Sequence, residues 1–128
     1  MAAVVLDSGG VIAFAVGDKD VAALIKDAAL AGVEVLMPPI VVTETVRGGG
    51  RDAPLFRLLR QGCKVPATDF RIARTAGELL GKTGGANAPD AQVAAHCMDA
   101  EPATLITGDP SDMRVLLQDI AGVRIRAV

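Results

Sequence analysis

The sequence predicts an α/β domain on a central, mainly parallel sheet flanked by helices, and three observations carry that expectation. Short, mostly apolar runs at Val4–Leu6, Val33–Met37, Thr104–Thr107 and Val123–Val128 are bounded by turn residues, as strands buried on both faces are. Longer segments with apolar residues at helical spacing separate those runs, which implies βαβ units. Acids stand directly after the first run (Asp7) and one glycine beyond the third (Asp109), at the carboxyl ends where open α/β sheets place ligands.

Each element follows from its local pattern. Val4-Val5-Leu6 runs into Asp7-Ser8-Gly9-Gly10, a turn signal, before apolar residues resume. Asp18 to Ala31 carries Val21, Leu24, Ile25 and Ala28 on one face, with Gly17-Asp18 as the start and Gly32 as the stop. Val33 to Met37 is a short strand that ends at Pro38-Pro39, and these prolines suit the first turn of a helix over Ile40–Arg47. The run Gly48-Gly49-Gly50 breaks that helix, Ala53 to Gln61 forms another, and Lys64-Val65 reads as a brief edge strand. Thr68 or Asp69 caps a helix that continues to Lys82. A glycine-containing loop follows, Pro89 opens a helix over Asp90–Ala100, and Gly108-Asp109-Pro110 turns into a last helix over Ser111–Ile120. No repeat, linker or low-complexity segment interrupts residues 1–128, so a single domain is expected.

Composition narrows the function classes. The chain has 128 residues, 51% of them hydrophobic and chiefly aliphatic, enough for a substantial core. With no Trp, no Tyr and three Phe, it is poorly equipped to bind single strands by stacking bases on aromatic rings. Backbone-directed nucleic-acid chemistry remains open. No apolar run is long enough to span a bilayer, and no signal-like segment opens the chain. Cys63 and Cys97 have neither metal-ligand nor disulfide-framework spacing and are expected to be reduced, in a cytoplasmic protein. The net charge of −2 hides a division: Arg47 to Arg74 holds seven bases and two acids, while Lys82 and Arg114 bracket five acids and no base. A basic stretch beside an acidic one suits an enzyme that grips phosphates with one part and a metal with the other.

Four acids occupy positions that such a fold brings together. If the strands before Asp7 and Asp109 are neighbours, about 4.8 Å apart, those two carboxylates stand side by side. Glu44 lies one turn into the helix that the prolines start, and Asp90 lies in the first turn of its own helix; both helices begin on the same side of the sheet. Each also has a purely structural reading: Asp7 and Asp109 as helix caps, Asp90 as a partner of the helix dipole, Glu44 as a solvated side chain. Crowded carboxylates either take up protons or share a cation. Oxygen donors without His or Cys favour Mg²⁺ or Mn²⁺ over zinc, and such ions serve phosphodiester cleavage. His96, the sole histidine, sits on an Ala-rich helix and is expected to be packed and not a ligand.

Taken together, Val-Leu-Asp-Ser, Pro-Pro-x-Val-Val-x-Glu, Asp-Ala-x-Val-Ala-Ala and Thr-Gly-Asp-Pro-x-Asp-Met resemble, in order and spacing, the PIN-domain ribonucleases. The likeness is greatest to the short toxins of VapBC toxin–antitoxin pairs. It covers nearly the whole chain and implies a PIN-like three-layer fold. It also implies that Asp7, Glu44, Asp90 and Asp109 bind one or two Mg²⁺ or Mn²⁺ ions, with Asp112 as a further acid and Ser8 and Thr107 as hydroxyls near the metal. RNA would be the substrate, and Arg47, Arg51, Arg57 and Arg60 are the candidate phosphate contacts. A VapB-like antitoxin and a homodimer are the implied partners, with no membrane. One departure stands out: the family commonly carries a hydroxyl or a bulkier residue where this chain has Gly9 and Gly10.

Two other readings share these residues. A non-catalytic PIN-like module would bind RNA or protein without cutting. Asp7-Ser8-Gly9-Gly10 also resembles the Asp-x-Asp-Gly motif of haloacid-dehalogenase-like phosphatases, but Gly9 stands where their general acid belongs.

Overall fold

The computed structural model describes residues 2–128, which form a four-stranded parallel sheet in the order β2-β1-β3-β4. The strands are β1 (Ala3–Leu6), β2 (Val35–Leu36), β3 (Ala103–Thr107) and β4 (Val123–Ala127). Seven α-helices accompany them among the described residues: α1 (Ser8–Ala15), α2 (Lys19–Leu30), α3 (Pro39–Thr45), α4 (Ala53–Arg60), α5 (Phe70–Thr83), α6 (Ala88–Asp99) and α7 (Pro110–Leu116). The expected α/β architecture with a parallel sheet is what the chain adopts.

The central strands are apolar on both faces because helices cover both. Val5, Leu6, Leu105 and Ile106 are essentially inaccessible to solvent. They pack with Met37, Val41, Leu58, Val93 and Met113, contributed by the loop after β2 and by four helices. α6 lies against β1 and β3, α5 packs along α6, and α1 meets β3, α3 and α4. Burying each large aliphatic side chain stabilises the fold by roughly 1.5–3 kcal/mol, before the entropy of ordering is counted.

Helix ends follow the expected signals. Asp18 accepts from the amides of Asp20 and Val21, and Asp69 accepts from Ile72 N at 2.9 Å. Between the two candidates for that second cap, Asp69 is the one used. Gly84 closes α5 in the left-handed conformation (φ 71°), which a side chain would strain. Lys64 extends the sheet edge by a parallel bridge to Leu36, as expected of a brief edge strand.

Three expectations need correction. Ser8–Ala15 is a helix, although its glycines read as a turn. The helix after the prolines stops at Thr45 and not Arg47, because Asp52 takes the Arg47 and Gly48 amides at 3.0 and 2.7 Å and folds the chain back. The last helix stops at Leu116 and not Ile120; tighter turns follow, with Ile120 N donating to Leu117 O, and Leu117 enters the core.

Candidate metal centre

The sheet register builds the site. Leu6 pairs with Ile106, and the amide of Asp7 continues the ladder to Ile106 O at 3.1 Å. Asp7 therefore stands at the level of Thr107, with Asp109 two residues beyond. Asp7 is buried, and its Oδ1 accepts from the Gly10 amide at 3.1 Å, which makes it the N-cap of α1. The capping reading holds for this residue. Thr107 is fully buried, and its Oγ1 accepts from Asp109 N at 2.9 Å, fixing the turn that presents Asp109.

Asp90 arrives from the other side on the first turn of α6. Asn87 caps that helix through its Oδ1 and the Asp90 amide, at 3.0 Å. Asp90, Asp109 and Asp112 each offer a carboxylate oxygen, and the three oxygens lie within 4.8 Å of one another. Asp90 is half-buried, and its Oδ2 is enclosed without any hydrogen-bond partner. Burial first, and then the charges of Asp109, Asp112, Asp7 and Glu44, push its carboxyl up to about 6. The Asp112 carboxyl is likewise raised, chiefly by its hydrogen bond to Asp109 and by that neighbour's charge. None of the five acids forms an ion pair among the described residues.

The structure thus gathers every acid singled out in the sequence, with different closeness. Asp90, Asp109 and Asp112 form the tight group; Asp7 lies buried behind them, and Glu44 is exposed on α3 and near enough to act on Asp90. Ser8 sits half-buried at the first position of α1. Of the arginines, Arg57 lies over the Phe14 ring at 5.0 Å, and Arg47 donates to the carbonyls of Val46 and Thr43. Arg51 and Arg60 are exposed and have no ion-pair partner among the described residues.

Other nucleophiles and ligands drop out. His96 is packed, as expected: its Nε2 meets Thr68 Oγ1 at 2.7 Å, and burial lowers its pKa. Cys97 is buried, and its thiol is pushed up to about 12 by burial and then by Asp7, too high to supply a thiolate. A Cβ on Gly9 would lie 2.5 Å from Gly108 N, so the position where a dehalogenase-like phosphatase carries its second acid has no room for a side chain. The sequence pattern held no sign of Asn87, whose capping role depends on where α6 begins. Asp52 was legible only as one charge in the basic stretch.

The family model of the PIN domain matches residues 4–115, and the chain belongs to the PIN domain family. Its fold is similar to that in VapBC2 from Rickettsia felis bound to a promoter DNA fragment, with a TM-score of 0.72, 15% identity and 98% of each chain covered. It is also similar to DNA-bound VapBC from Salmonella typhimurium (TM-score 0.70, 15% identity, 99% of this chain and 98% of that one). A third likeness is to FitAcB from Neisseria gonorrhoeae (TM-score 0.57, 18% identity, 95% of each chain). A search of curated proteins by sequence found no match. No helix among the described residues is long and apolar enough to cross a membrane.

Proposed function

We propose that this chain is a Mg²⁺- or Mn²⁺-dependent endoribonuclease and the toxin half of a toxin–antitoxin pair. The observation that carries the reading is Asp90, whose enclosed oxygen has no partner and whose charge is opposed by four other carboxylates. Leaving a buried carboxylate oxygen unpaired is costly, and a hard divalent cation removes that cost while cancelling the repulsion. The donor set fits: all oxygen, without thiolate or imidazole, and three donor atoms already within 4.8 Å.

Asp90, Asp109 and Asp112 would hold the ion, with Asp7 and Glu44 adjoining. When bound, the ion supplies charge stabilisation at phosphate oxygens and lowers the pKa of a water that attacks phosphorus. The chain's own residues set the geometry. The Gly10 amide fixes Asp7, Thr107 fixes the turn to Asp109, and the Asn87 cap fixes the first turn of α6. Arg47 and Arg51, on the exposed loop just beyond Glu44, together with Arg57 and Arg60 on α4, provide a cationic surface for the RNA backbone.

The family and the fold neighbours support the rest. Two of those neighbours are described as VapBC bound to DNA. That likeness supports a VapB-like antitoxin as the partner, and the homodimer is carried over from the resemblance in sequence alone. The test is cleavage of structured RNA by the purified chain in Mn²⁺, beside Asp7→Asn. The reading predicts products from the wild type and none from the variant. Equal RNA affinity in both, with no products in either, would mean a non-catalytic RNA-binding module instead.

A further inference from the structure

A cavity of about 200 Å³ opens directly beside the acids, and its walls include Asp90 and Asp112 themselves. Leu80, Gly85, Val115 and Leu116 supply much of its apolar lining. Resting on the nuclease reading above, we propose that this cavity holds one unpaired nucleobase of the RNA, adjacent to the phosphate that the acids address. Size selects the occupant. The cavity falls below the roughly 300–1,000 Å³ typical of sites for drug-sized ligands, which suits a single flat ring and is too small to enclose a peptide segment whole.

The chemistry of the lining agrees. The aliphatic side chains of the lining give a base an apolar surface to lie against, and Val115 is half exposed, so the mouth is open to solvent. Two polar groups stand at the edge in fixed roles. Asn87 commits its Oδ1 to the Asp90 amide, which leaves its side-chain N–H groups as donors. Thr83 commits its hydroxyl proton to Leu79 O at 2.7 Å, so its oxygen is left as an acceptor. One donor and one acceptor match the edge of a base that carries both. The wall shared with Asp90 and Asp112 ties the base to its own backbone phosphate, so occupancy of the cavity sets where along the strand the cut falls.

Gly85 offers a direct test, because a Cβ there would make ordinary contacts with Thr83 Oγ1, Leu80 Cδ2 and Leu116 Cδ2, at 3.4, 3.5 and 3.9 Å. Gly85→Leu fills the cavity, and Gly85→Ala fills it in part. Binding of short single-stranded RNAs, each with one nucleotide made abasic, is measured by fluorescence anisotropy in Ca²⁺, alongside cleavage in Mn²⁺. One abasic position is expected to weaken wild-type binding about tenfold, the scale of burying about 60 Å² of apolar surface of one base against aliphatic side chains. Gly85→Leu should lose about the same factor on the intact RNA and then show no further loss at that position, as two changes at one point of contact behave. Gly85→Ala should fall between them, and the Mn²⁺-induced rise in melting temperature should be the same in all three proteins. Unchanged affinity and an unchanged cleavage pattern in Gly85→Leu would overturn the subsite, and so would a wild type that binds no RNA. If the abasic coupling appears while no RNA is cut, the subsite stands and the nuclease reading falls. If wild type and Gly85→Leu bind RNA equally and cut it at the same places, the reverse holds.

Discussion

Gly9 on α1 and Gly108 at the end of β3 meet backbone to backbone, so closely that a Cβ on Gly9 would lie 2.5 Å from Gly108 N and 2.7 Å from its Cα. Neighbouring Gly10 faces Ile106 O in the same way, at 3.0 Å. Gly9 and Gly10 therefore let the first turn of α1 close onto the end of β3. Gly9→Ala is expected to destabilise the protein by about 1–3 kcal/mol, the usual cost of overpacking, and to weaken Mn²⁺ binding. Urea unfolding of wild type and variant checks the first effect; equal midpoints would show that the close approach relaxes freely.

Thr107→Val removes the acceptor for the Asp109 amide while keeping the buried volume. Losing that part-buried hydrogen bond at an exposed residue should cost about 0.5–1.5 kcal/mol. The turn would also loosen, so Mn²⁺ affinity should fall together with stability. Thr107→Ser, which keeps the oxygen, should retain most of the Mn²⁺ affinity. A valine variant with wild-type Mn²⁺ affinity would mean that the hydroxyl does not position Asp109.

Asp90 sets a pH dependence. Its carboxyl is raised from 3.8 to about 6 by burial and by the four neighbouring acids. A raised acid favours the folded state when protonated, so its contribution is present below the unfolded pKa and is lost as pH rises through about 6. The metal-free wild type should therefore lose stability between about pH 4 and pH 6 relative to Asp90→Asn, which lacks the titrating group. Melting temperatures in chelator across that range decide it. Parallel curves would place Asp90 in an ordinary solvated setting.

The basic surface gives a fourth expectation. Arg51 and Arg60 are the two exposed arginines of the candidate set for which the structure shows no side-chain partner, whereas Arg57 packs on Phe14 and Arg47 on nearby carbonyls. Replacing either Arg51 or Arg60 by Gln should flatten the salt dependence of RNA binding by about 0.7 in log–log slope for each phosphate no longer neutralised. An unchanged slope would return these residues to a merely solvated role.

The architecture was legible because buried parallel strands advertise themselves as aliphatic runs, and Val4–Leu6 and Thr104–Thr107 are such runs. The acids were legible because each sits at a strand end or in a helix, on the side of the sheet where crossovers converge. α1 was missed for a physical reason: glycine pairs ordinarily mark turns, and only the tertiary approach to Gly108 and Ile106 shows why glycine is required inside this helix. Asp52 misled in the same way, since its hold on the Arg47 and Gly48 amides depends on a loop closure that local pattern does not encode. Nor could spacing show that Asp112 belongs to the tight group while Glu44 stands at its exposed margin.

The centre of the account is that Asp90 and its neighbours share a divalent cation. Calorimetric titration of Mn²⁺ into the metal-free wild type and into Asp90→Asn tests this directly. Saturable binding is predicted for the wild type, with a gain in stability of about 2.7 kcal/mol at a hundredfold excess over Kd, and loss of both in the variant. A wild type that takes up no Mn²⁺, or a variant that binds it equally well, would contradict the account.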